Sequence, residues 1–245
     1  MIHPRKKTRK SASATSGQST LASTAKKKLQ RELSEIGREQ TTNRRIIRAA
    51  AEVYREYGYE RASMIEIAKR LGMTAPALYR HFDSKEQILV AFLEHAITDL
   101  TEFVSSFLHS AEPRRRLWEF LHAYVLWQLQ QQEFSAAAYG RMYALVHLRN
   151  SVPAKQRQRI RSLERTLYEI CRDIVAKVDG GSIPSGEVAP LAFSLFGMIE
   201  HLVTWFLPNG SLTATKIATL YADLGVAMVA EAAQRHRATA KDDPH

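Results

Sequence analysis

The fold is decided by the stretch Ser63-Met-Ile-Glu-Ile-Ala-Lys-Arg-Leu-Gly-Met-Thr-Ala-Pro-Ala-Leu-Tyr-Arg-His-Phe-Asp-Ser-Lys85. Ser63 is followed three residues later by Glu66, the capping-box pattern that starts a helix. The next apolar residues recur at i, i+3, i+4 and i+7 and share one helix face: Met64, Ile67, Ala68 and Leu71. Gly72 supplies the backbone freedom that a tight helix exit needs. The stretch therefore predicts a short helix followed by a sharp turn.

A second short helix is predicted directly after this turn. Thr74 is its N-cap candidate, and Pro76 lies in the first turn, where a missing N–H is harmless. Leu78 and Phe82 face inward, which leaves outside Ala75, Pro76, Tyr79 and Arg80, with His81 closing the helix. Asp83 or Ser84 then caps the following helix. Small residues that admit base edges, followed by polar residues that reach phosphates, are typical of the second helix of a DNA-binding helix-turn-helix.

A first helix precedes this pair and ends at Gly58. Its apolar stripe is expected to cover the pair and comprises Ile46, Ala50, Val53, Tyr54 and Tyr57. The alternative is three small helices of an ordinary core without a DNA-binding role. The coincidence of caps, glycine turn and an outward Tyr79-Arg80-His81 favours the helix-turn-helix.

Two runs in this region carry a family resemblance. Ile67-Ala-Lys-Arg-Leu-Gly-Met-Thr74 and Ala77-Leu-Tyr-Arg-His-Phe-Asp-Ser-Lys-Glu86 resemble the DNA-binding domain of the TetR family of one-component transcriptional regulators. The resemblance implies an all-α fold, with an N-terminal three-helix DNA-binding domain and a C-terminal helical domain for ligand binding and dimerisation. It also implies a homodimer on a palindromic, inverted-repeat operator in double-stranded DNA.

The matching positions assign roles to individual residues. They imply phosphate contacts from Ser63, Thr74, Tyr79, His81 and Lys85, and base-edge contacts from Ala75, Pro76 and Arg80. Arg44, just ahead of the first helix stripe, joins the predicted DNA-binding set. For Tyr79 the alternative is a half-buried packing residue.

The positive charge of the chain is concentrated near its start. The 245 residues have a net charge of +10, but residues 1–45 hold 12 Lys/Arg against 3 Asp/Glu. Residues 1–40 are therefore expected to be a basic, largely disordered arm that contacts DNA phosphates or the minor groove. The alternative is a solvated tail or a misassigned start. No apolar run follows the charges, so no secretory signal is expected.

The rest of the chain predicts helices throughout, with 45% hydrophobic residues for a core. They are expected over 84–109, 112–132, 133–150, 153–178, 188–207 and from about 213 to 235. The expected domains are the helix-turn-helix domain at 41–88, the ligand-binding and dimerisation domain at 89–235, and a disordered tail at 236–245.

Residues 188–206 are long enough for a membrane span. However, Glu200 is their single charge and would be costly in lipid, so a buried interface helix without membrane contact is favoured.

The last two helices are predicted to form the dimer interface. An apolar seam recurs at helical spacing along the last helix, and a glycine in the preceding helix permits close approach. The interface prediction comprises Gly197, Trp205, Ile217, Leu220, Tyr221, Leu224 and Met228. The alternative is a seam that packs only within its own subunit. Two recognition helices spaced one DNA turn apart require a dimer.

An effector pocket is predicted among the middle helices, because large aromatics with a few hydroxyls and imidazoles suit an apolar pocket with polar anchors. The candidates are Trp118, Tyr124, Trp127, Tyr139, Met142, Tyr143, His147, Phe196 and His201. Plain core packing is the alternative for these residues. The stretch Trp205 to Ala218, continuing through Tyr221 to Leu224, weakly resembles the region before the last helix of acyl-CoA-responsive regulators. This favours a lipid-like or acyl-CoA effector.

Enzyme chemistry finds no support in the motifs. There is no Gly-rich phosphate loop, G-x-S-x-G or H-E-x-x-H, and the nine histidines are scattered. Neither a metal site nor a cofactor is expected. Cys171 is the single cysteine, which suits a reducing cytoplasm, and a packed thiol is favoured over a redox sensor.

The sequence thus predicts a cytoplasmic, nucleoid-associated, ligand-responsive regulator, with repression as the expected sign. An effector that prefers the wrong half-site spacing would release the DNA. Two rival interpretations remain: a ligand-independent DNA-architectural protein, and a helical small-molecule carrier or enzyme.

Overall fold

The computed structural model describes residues 39–239 apart from residues 55, 131–151, 153 and 208–209. The chain divides between Arg45 and Ile46 into two units. In the first unit, the described residues 39–45 are helical. Residues 1–38 of the predicted arm, the predicted helix over 133–150 and residues 240–245 of the predicted tail lie outside the described residues. The first part of that tail, 236–239, was predicted to be disordered and is instead helical, as the end of the last helix.

The second unit is built from helices that follow one another along the chain. Residues 46–54 and 56–57 form α1. The next helices are α2 (Met64–Arg70), α3 (Ala75–Tyr79), α4 (Lys85–Phe107), α5 (Pro113–Gln130), α6 (Ala154–Lys177), α7 (Ser185–Glu200) and α8 (Ala214–Thr239). Short 3₁₀ turns follow α6 and α7, at Val178–Gly180 and His201–Thr204. No strand occurs in the described ranges, and the predicted all-α fold is confirmed.

Three predicted N-caps start α2, α3 and α4. The Ser63 hydroxyl accepts the N–H of Glu66 at 3.1 Å, and the Thr74 hydroxyl accepts that of Ala77 at 3.3 Å. Between the two candidates for α4, the cap is Ser84, which accepts the N–H of Gln87 at 3.3 Å. Each such cap contributes about 1 kcal/mol, so these three side chains define where the short helices begin.

Two glycines end the helices of this region. Gly58 has φ 77° and Gly72 has φ 66°, in the left-handed region that favours glycine. A Cβ at Gly72 would meet no atom within 4 Å, so its requirement is conformational rather than steric. The chain can therefore turn sharply within the four residues 71–74 between α2 and α3.

The core beneath the helix-turn-helix follows the predicted stripes with one correction. Ile46, Ala50 and Val53 are fully buried, as are Ile67 and Leu78. Tyr57 is 42% exposed, so its assignment to the stripe was wrong. It lies in the last turn of α1, directly before Gly58, and its side chain is open to solvent.

α4 is buried at both ends in one continuous hydrophobic core. Ile88, Leu89 and Phe92 are buried near its start, and Leu100 and Val104 are buried towards its end. The helix ran from 84 to 109 in the prediction and is Lys85–Phe107 in the structure. It therefore joins the helix-turn-helix to the C-terminal helices without a break.

α5 is the central helix of the C-terminal part and packs against α8. A Cβ at Gly225 of α8 would collide with the Leu121 and Leu195 side chains of α5 and α7. Gly225 thus allows three helices to approach closely.

The segment 188–206 forms most of α7 and the 3₁₀ turn after it. Ala192, Leu195 and Ile199 are fully buried within the protein. α7 begins at Ser185, slightly earlier than predicted. Among the described residues, no helix has the length and apolar character needed to cross a membrane.

The turn between α6 and α7 is tied to the start of α5. Asp179 has φ 53°, a conformation that non-glycine residues rarely adopt. Its carboxylate accepts the Nε–H of Arg114 at 2.6 Å, and this hydrogen bond lowers the pKa of Asp179. The end of α6 therefore lies beside the beginning of α5.

Candidate DNA-binding surface and effector region

The recognition-helix candidate α3 has one buried and one open face. Leu78 is fully buried and Phe82 is 8% exposed, as predicted, and both anchor the helix to the core. On the opposite side, Tyr79 is 49% exposed, and Pro76 and Arg80 are also exposed. These side chains form one outward surface, and Leu78 and Phe82 hold the helix from the opposite side.

The other residues predicted to contact DNA differ in their exposure. Ser63 and Thr74 are exposed, and their hydroxyls accept the helix-capping hydrogen bonds described above. Ala75 and His81 are half-buried at the two ends of α3. Arg44 is exposed on the helical residues of the first unit. Their contacts with DNA stay predictions.

Lys85 has a partner set that the sequence did not indicate. Its Nζ donates to the carbonyl oxygens of Tyr59, Glu60 and Ala62, at 3.1, 3.2 and 3.4 Å. It also lies 4.6 Å from the centre of the Tyr59 ring. The ammonium group thus fastens the start of α4 to the loop between α1 and α2, although a phosphate contact was predicted for it.

Two tyrosines reinforce the same junction. The Tyr54 hydroxyl donates to the carbonyl oxygen of Lys85 at 3.0 Å, and the Tyr59 hydroxyl donates to the carboxylate of Glu86 at 3.1 Å. Burial raises the pKa of both phenols, so they stay protonated donors at neutral pH. α4 is consequently held at its first turn by three side chains.

An aromatic cluster occupies the predicted effector region. Tyr124 is 5% exposed, and its ring lies 5.5 Å from that of Phe196, which in turn lies 6.1 Å from that of Tyr168. Phe120 meets both Tyr124 and Phe196 edge to face. Trp127 is buried on the same helix. The structure therefore brings together Tyr124 and Phe196, with Trp127 also in the core of α5.

Two predicted pocket residues lie elsewhere. The Trp118 ring stacks on His122 at 4.6 Å, and its N–H donates to Asp223 of α8 at 2.7 Å. His201 is exposed in the 3₁₀ turn, where its carbonyl accepts the Thr204 hydroxyl. Trp118 thus ties α5 to α8. Among the described residues, neither Trp118 nor His201 has a ring contact with the aromatic cluster, and their role in ligand binding stays a prediction. Tyr139, Met142, Tyr143 and His147 lie outside the described residues.

The predicted dimer seam separates into a buried and an exposed part. Ile217 is 1% exposed and belongs to the core of its own chain, which corrects its assignment. Leu220, Leu224 and Trp205 remain 48%, 50% and 45% exposed. Tyr221 and Met228 are half-buried beside them, and Gly197 is exposed on α7. The helical period placed these residues together, but the position of α5 decides which of them are covered.

Cys171 is a packed thiol, as favoured above. Its side chain is fully buried, and burial raises its pKa to about 12. No cluster of three or more His, Cys, Asp or Glu side chains that could hold a metal ion occurs in the part of the chain that the structure describes.

Fold and site together define a class: an all-helical protein with an N-terminal helix-turn-helix and a C-terminal helical domain. Residues 46–92 match the family model of bacterial regulatory proteins of the tetR family. Residues 110–229 match the model of the tetracyclin repressor-like C-terminal domain. The chain belongs to the TetR family of bacterial regulatory proteins.

Individual relatives agree with this assignment. The A-factor receptor protein of Streptomyces griseus is 48% identical over 62 residues, which span 25% of this chain and 22% of that protein. The fatty acid metabolism regulator protein of Bacillus subtilis is 27% identical over 169 residues, spanning 67% and 82%. The structure of AibR with isovaleryl coenzyme A and operator DNA has a TM-score of 0.63 at 26% identity, covering 76% of this chain and 96% of that one. The chain spans only a fifth of the first relative, so the ligands of these proteins are attributed to them alone.

Proposed function

We propose that this protein is a ligand-responsive, DNA-binding transcriptional regulator that binds an inverted-repeat operator as a homodimer. The observation that carries the proposal is α3, whose outward Pro76, Tyr79 and Arg80 are held up by Leu78 and Phe82 beneath. A short helix with this division suits the major groove, where its first residues approach base edges and later ones reach the backbone. Such a protein acts where the chromosome is, in the bacterial cytoplasm.

The test is a mobility shift on DNA flanking its own gene, against unrelated DNA, at near-physiological salt. Tyr79→Ala should abolish the selective shift, because it removes an exposed contact without opening the core. Tyr57→Ala is the matched control, since this tyrosine is 42% exposed and Tyr79 is 49% exposed. Equal binding to both DNAs that vanishes with salt would favour a DNA-architectural protein instead. Binding by the Tyr79→Ala variant equal to that of the control would remove α3 from the interface.

The homodimer part of the proposal is supported by the exposed apolar residues of α7 and α8. Phe193 is 64% exposed, and Leu220 and Leu224 are about half exposed. A cluster of large apolar side chains at the surface is typical of a protein–protein interface. A second copy of the same two helices would cover them and would place two copies of α3 on one face of DNA.

The effector part of the proposal is an apolar or acyl-CoA-like molecule bound near the aromatic cluster of α5, α6 and α7. Support comes from that cluster and from two relatives: a fatty acid metabolism regulator, and AibR in complex with isovaleryl coenzyme A. The cluster also has polar groups at its edge, the Tyr124 hydroxyl and the amide of the buried Gln128. Such groups orient a ligand within an apolar site. Release of DNA on binding, and thus repression, is the sign we propose.

The effector is tested by adding straight-chain acyl-CoAs, the matching free fatty acids and free coenzyme A to the protein–operator complex. A chain-length-dependent release by acyl-CoAs alone is expected. Tyr124→Phe and Phe196→Ala should weaken release and leave operator affinity without effector unchanged. If none of the three kinds of compound releases the DNA, this choice of effector is refuted, but the DNA-binding role is not.

A further inference from the structure

Positive charge is concentrated in the first three turns of α6. Twelve residues, 154–165, contain five cations and a single acid, Glu164, although the chain after residue 45 is nearly neutral with 23 basic and 22 acidic residues. Like charges one turn apart destabilise a helix. Helix stability therefore does not account for this composition. The five cations are Lys155, Arg157, Arg159, Arg161 and Arg165.

Three of these arginines form an open stripe. Arg157, Arg161 and Arg165 follow at i, i+4 and i+8, about 6 Å apart along the helix axis. The described part of the chain gives Arg159 a carboxylate partner but supplies none for these three. Arg161 and Arg165 are exposed, and Arg157 is half-buried. Arg157 and Arg161 also line a surface groove of about 530 Å³.

The stripe lies at the end of α6 that is nearer to the helix-turn-helix. Arg159 Nε donates to Glu94 Oε1 at 2.8 Å, and Glu94 lies only about 14 Å along α4 from its first residue. The other end of α6 lies beyond the far end of α4, where Ile174 and Lys177 border a cleft with Pro113 of α5. α6 therefore runs in the same direction as α4, with its basic half towards α3.

We propose that the stripe Arg157–Arg161–Arg165 is a second DNA-binding surface, which contacts the phosphate backbone of DNA that flanks the operator. The proposal rests on the proposed function, because α3 must first bind the operator for the flanking DNA to lie near α6. Guanidinium groups bind phosphate oxygens through paired N–H donors. Arginines one helical turn apart each reach a separate phosphate, since successive phosphates of one strand rise by about 3.4 Å along the duplex. Such contacts extend the footprint and carry no sequence information.

The test compares two duplexes with the same operator. One ends at the operator edges, and the other extends it on both sides by about one helical turn of unrelated sequence. The stripe variant of the full chain carries Arg157→Gln, Arg161→Gln and Arg165→Gln. The control variant carries Arg172→Gln, Lys177→Gln and Arg235→Gln, which remove the same charge at the far end. The N-terminal arm is kept in every protein, so its contribution cancels.

For the wild type and the control, the long duplex should bind more tightly and with a steeper salt dependence. For the stripe variant, the short duplex should bind as before, and the gain from the flanks should fall well below that of the wild type and the control. Each protomer that reaches a flank contributes three phosphates, so the log–log slope of the stripe variant falls by about 2.7 per protomer, or about 40-fold in affinity between 50 and 200 mM salt, and by about 5.4 when both protomers of the dimer reach a flank.

A stripe variant that keeps the full gain from the flanks overturns the proposal. The proposal is also overturned if the stripe variant keeps normal flank dependence but its DNA complex is no longer affected by coenzyme A or inorganic pyrophosphate. The stripe would then be a binding site for a small phosphate-containing molecule. Failure of the wild type to bind any operator would overturn the proposed function itself, and that result is distinct from both.

Discussion

Replacing Lys85 with methionine separates two roles for the start of α4. The ammonium group donates to three carbonyl oxygens, of Tyr59, Glu60 and Ala62, and lies above the Tyr59 ring. Methionine keeps most of the apolar stem and removes both the charge and the donors. If the contact is structural, the variant loses stability. If Lys85 serves a DNA phosphate, it loses affinity.

The magnitude follows from the geometry. A hydrogen bond from a charged donor contributes about 1.5–3 kcal/mol, and a cation–π contact at an exposed site about 0.5–1 kcal/mol. The three carbonyls share one ammonium group at 3.1–3.4 Å, and the side chain is half-buried, so water replaces part of what is lost. We therefore expect Lys85→Met to lower the free energy of unfolding by about 2 kcal/mol.

Urea unfolding followed by circular dichroism measures this difference, with Lys69→Met as the control. Lys69 is exposed on α2, so Lys69→Met removes the same charge from a side chain that is open to solvent. Operator binding across a salt series is measured in parallel. A variant within about 0.5 kcal/mol of the wild type, with a log–log salt slope lower by about 0.9, would refute the structural role and restore the phosphate contact.

Three further predictions concern the C-terminal helices. Leu224→Glu should raise the dimer dissociation constant measured by sedimentation on the order of a thousandfold, because each dimer carries two copies of the substitution. Ile65→Glu is the control and should leave the dimer intact, since Ile65 is also an exposed apolar residue but lies on α2. Gly225→Ala should lower the midpoint of thermal unfolding, because the added Cβ overpacks the core at a cost of about 1–2 kcal/mol. Gly197→Ala is the control and should not destabilise the isolated chain, since its Cβ would meet no atom within 4 Å. Equal midpoints for the two variants would contradict this packing. Because burial raises the pKa of Cys171 to about 12, a thiol reagent at pH 8 should label the protein only after unfolding, and rapid labelling of the native protein would show an accessible thiolate.

Local signals in the sequence predicted the helix-turn-helix well. Ser63 and Thr74 were identified as caps and Gly72 as the turn residue, because each acts on its own neighbours within four positions. The buried faces of α1 to α3 followed from helical spacing in the same way. Such features depend on short stretches of chain and can be read without the rest of the fold.

Features that depend on a distant neighbour were missed. Helical period placed Ile217 and Leu224 on one face, but the approach of α5 buries the first and leaves the second half exposed. Trp118 had the composition of a pocket residue, but its N–H finds Asp223, 105 residues away. Lys85 reaches carbonyls up to 26 residues earlier in the chain. Neither spacing nor residue type contains the position of such partners.

α4 connects the helix-turn-helix with the C-terminal helices. Its 23 residues form one continuous helix about 35 Å long. Its first turn is hydrogen-bonded to the helix-turn-helix, and its last turns pack among the C-terminal helices. A tilt of about 5° at one end of such a helix moves the other by about 3 Å, close to the rise of one base step. In the function proposed above, a tilt of this size between effector-free and effector-bound protein would shift α3 by about one base step relative to the DNA groove.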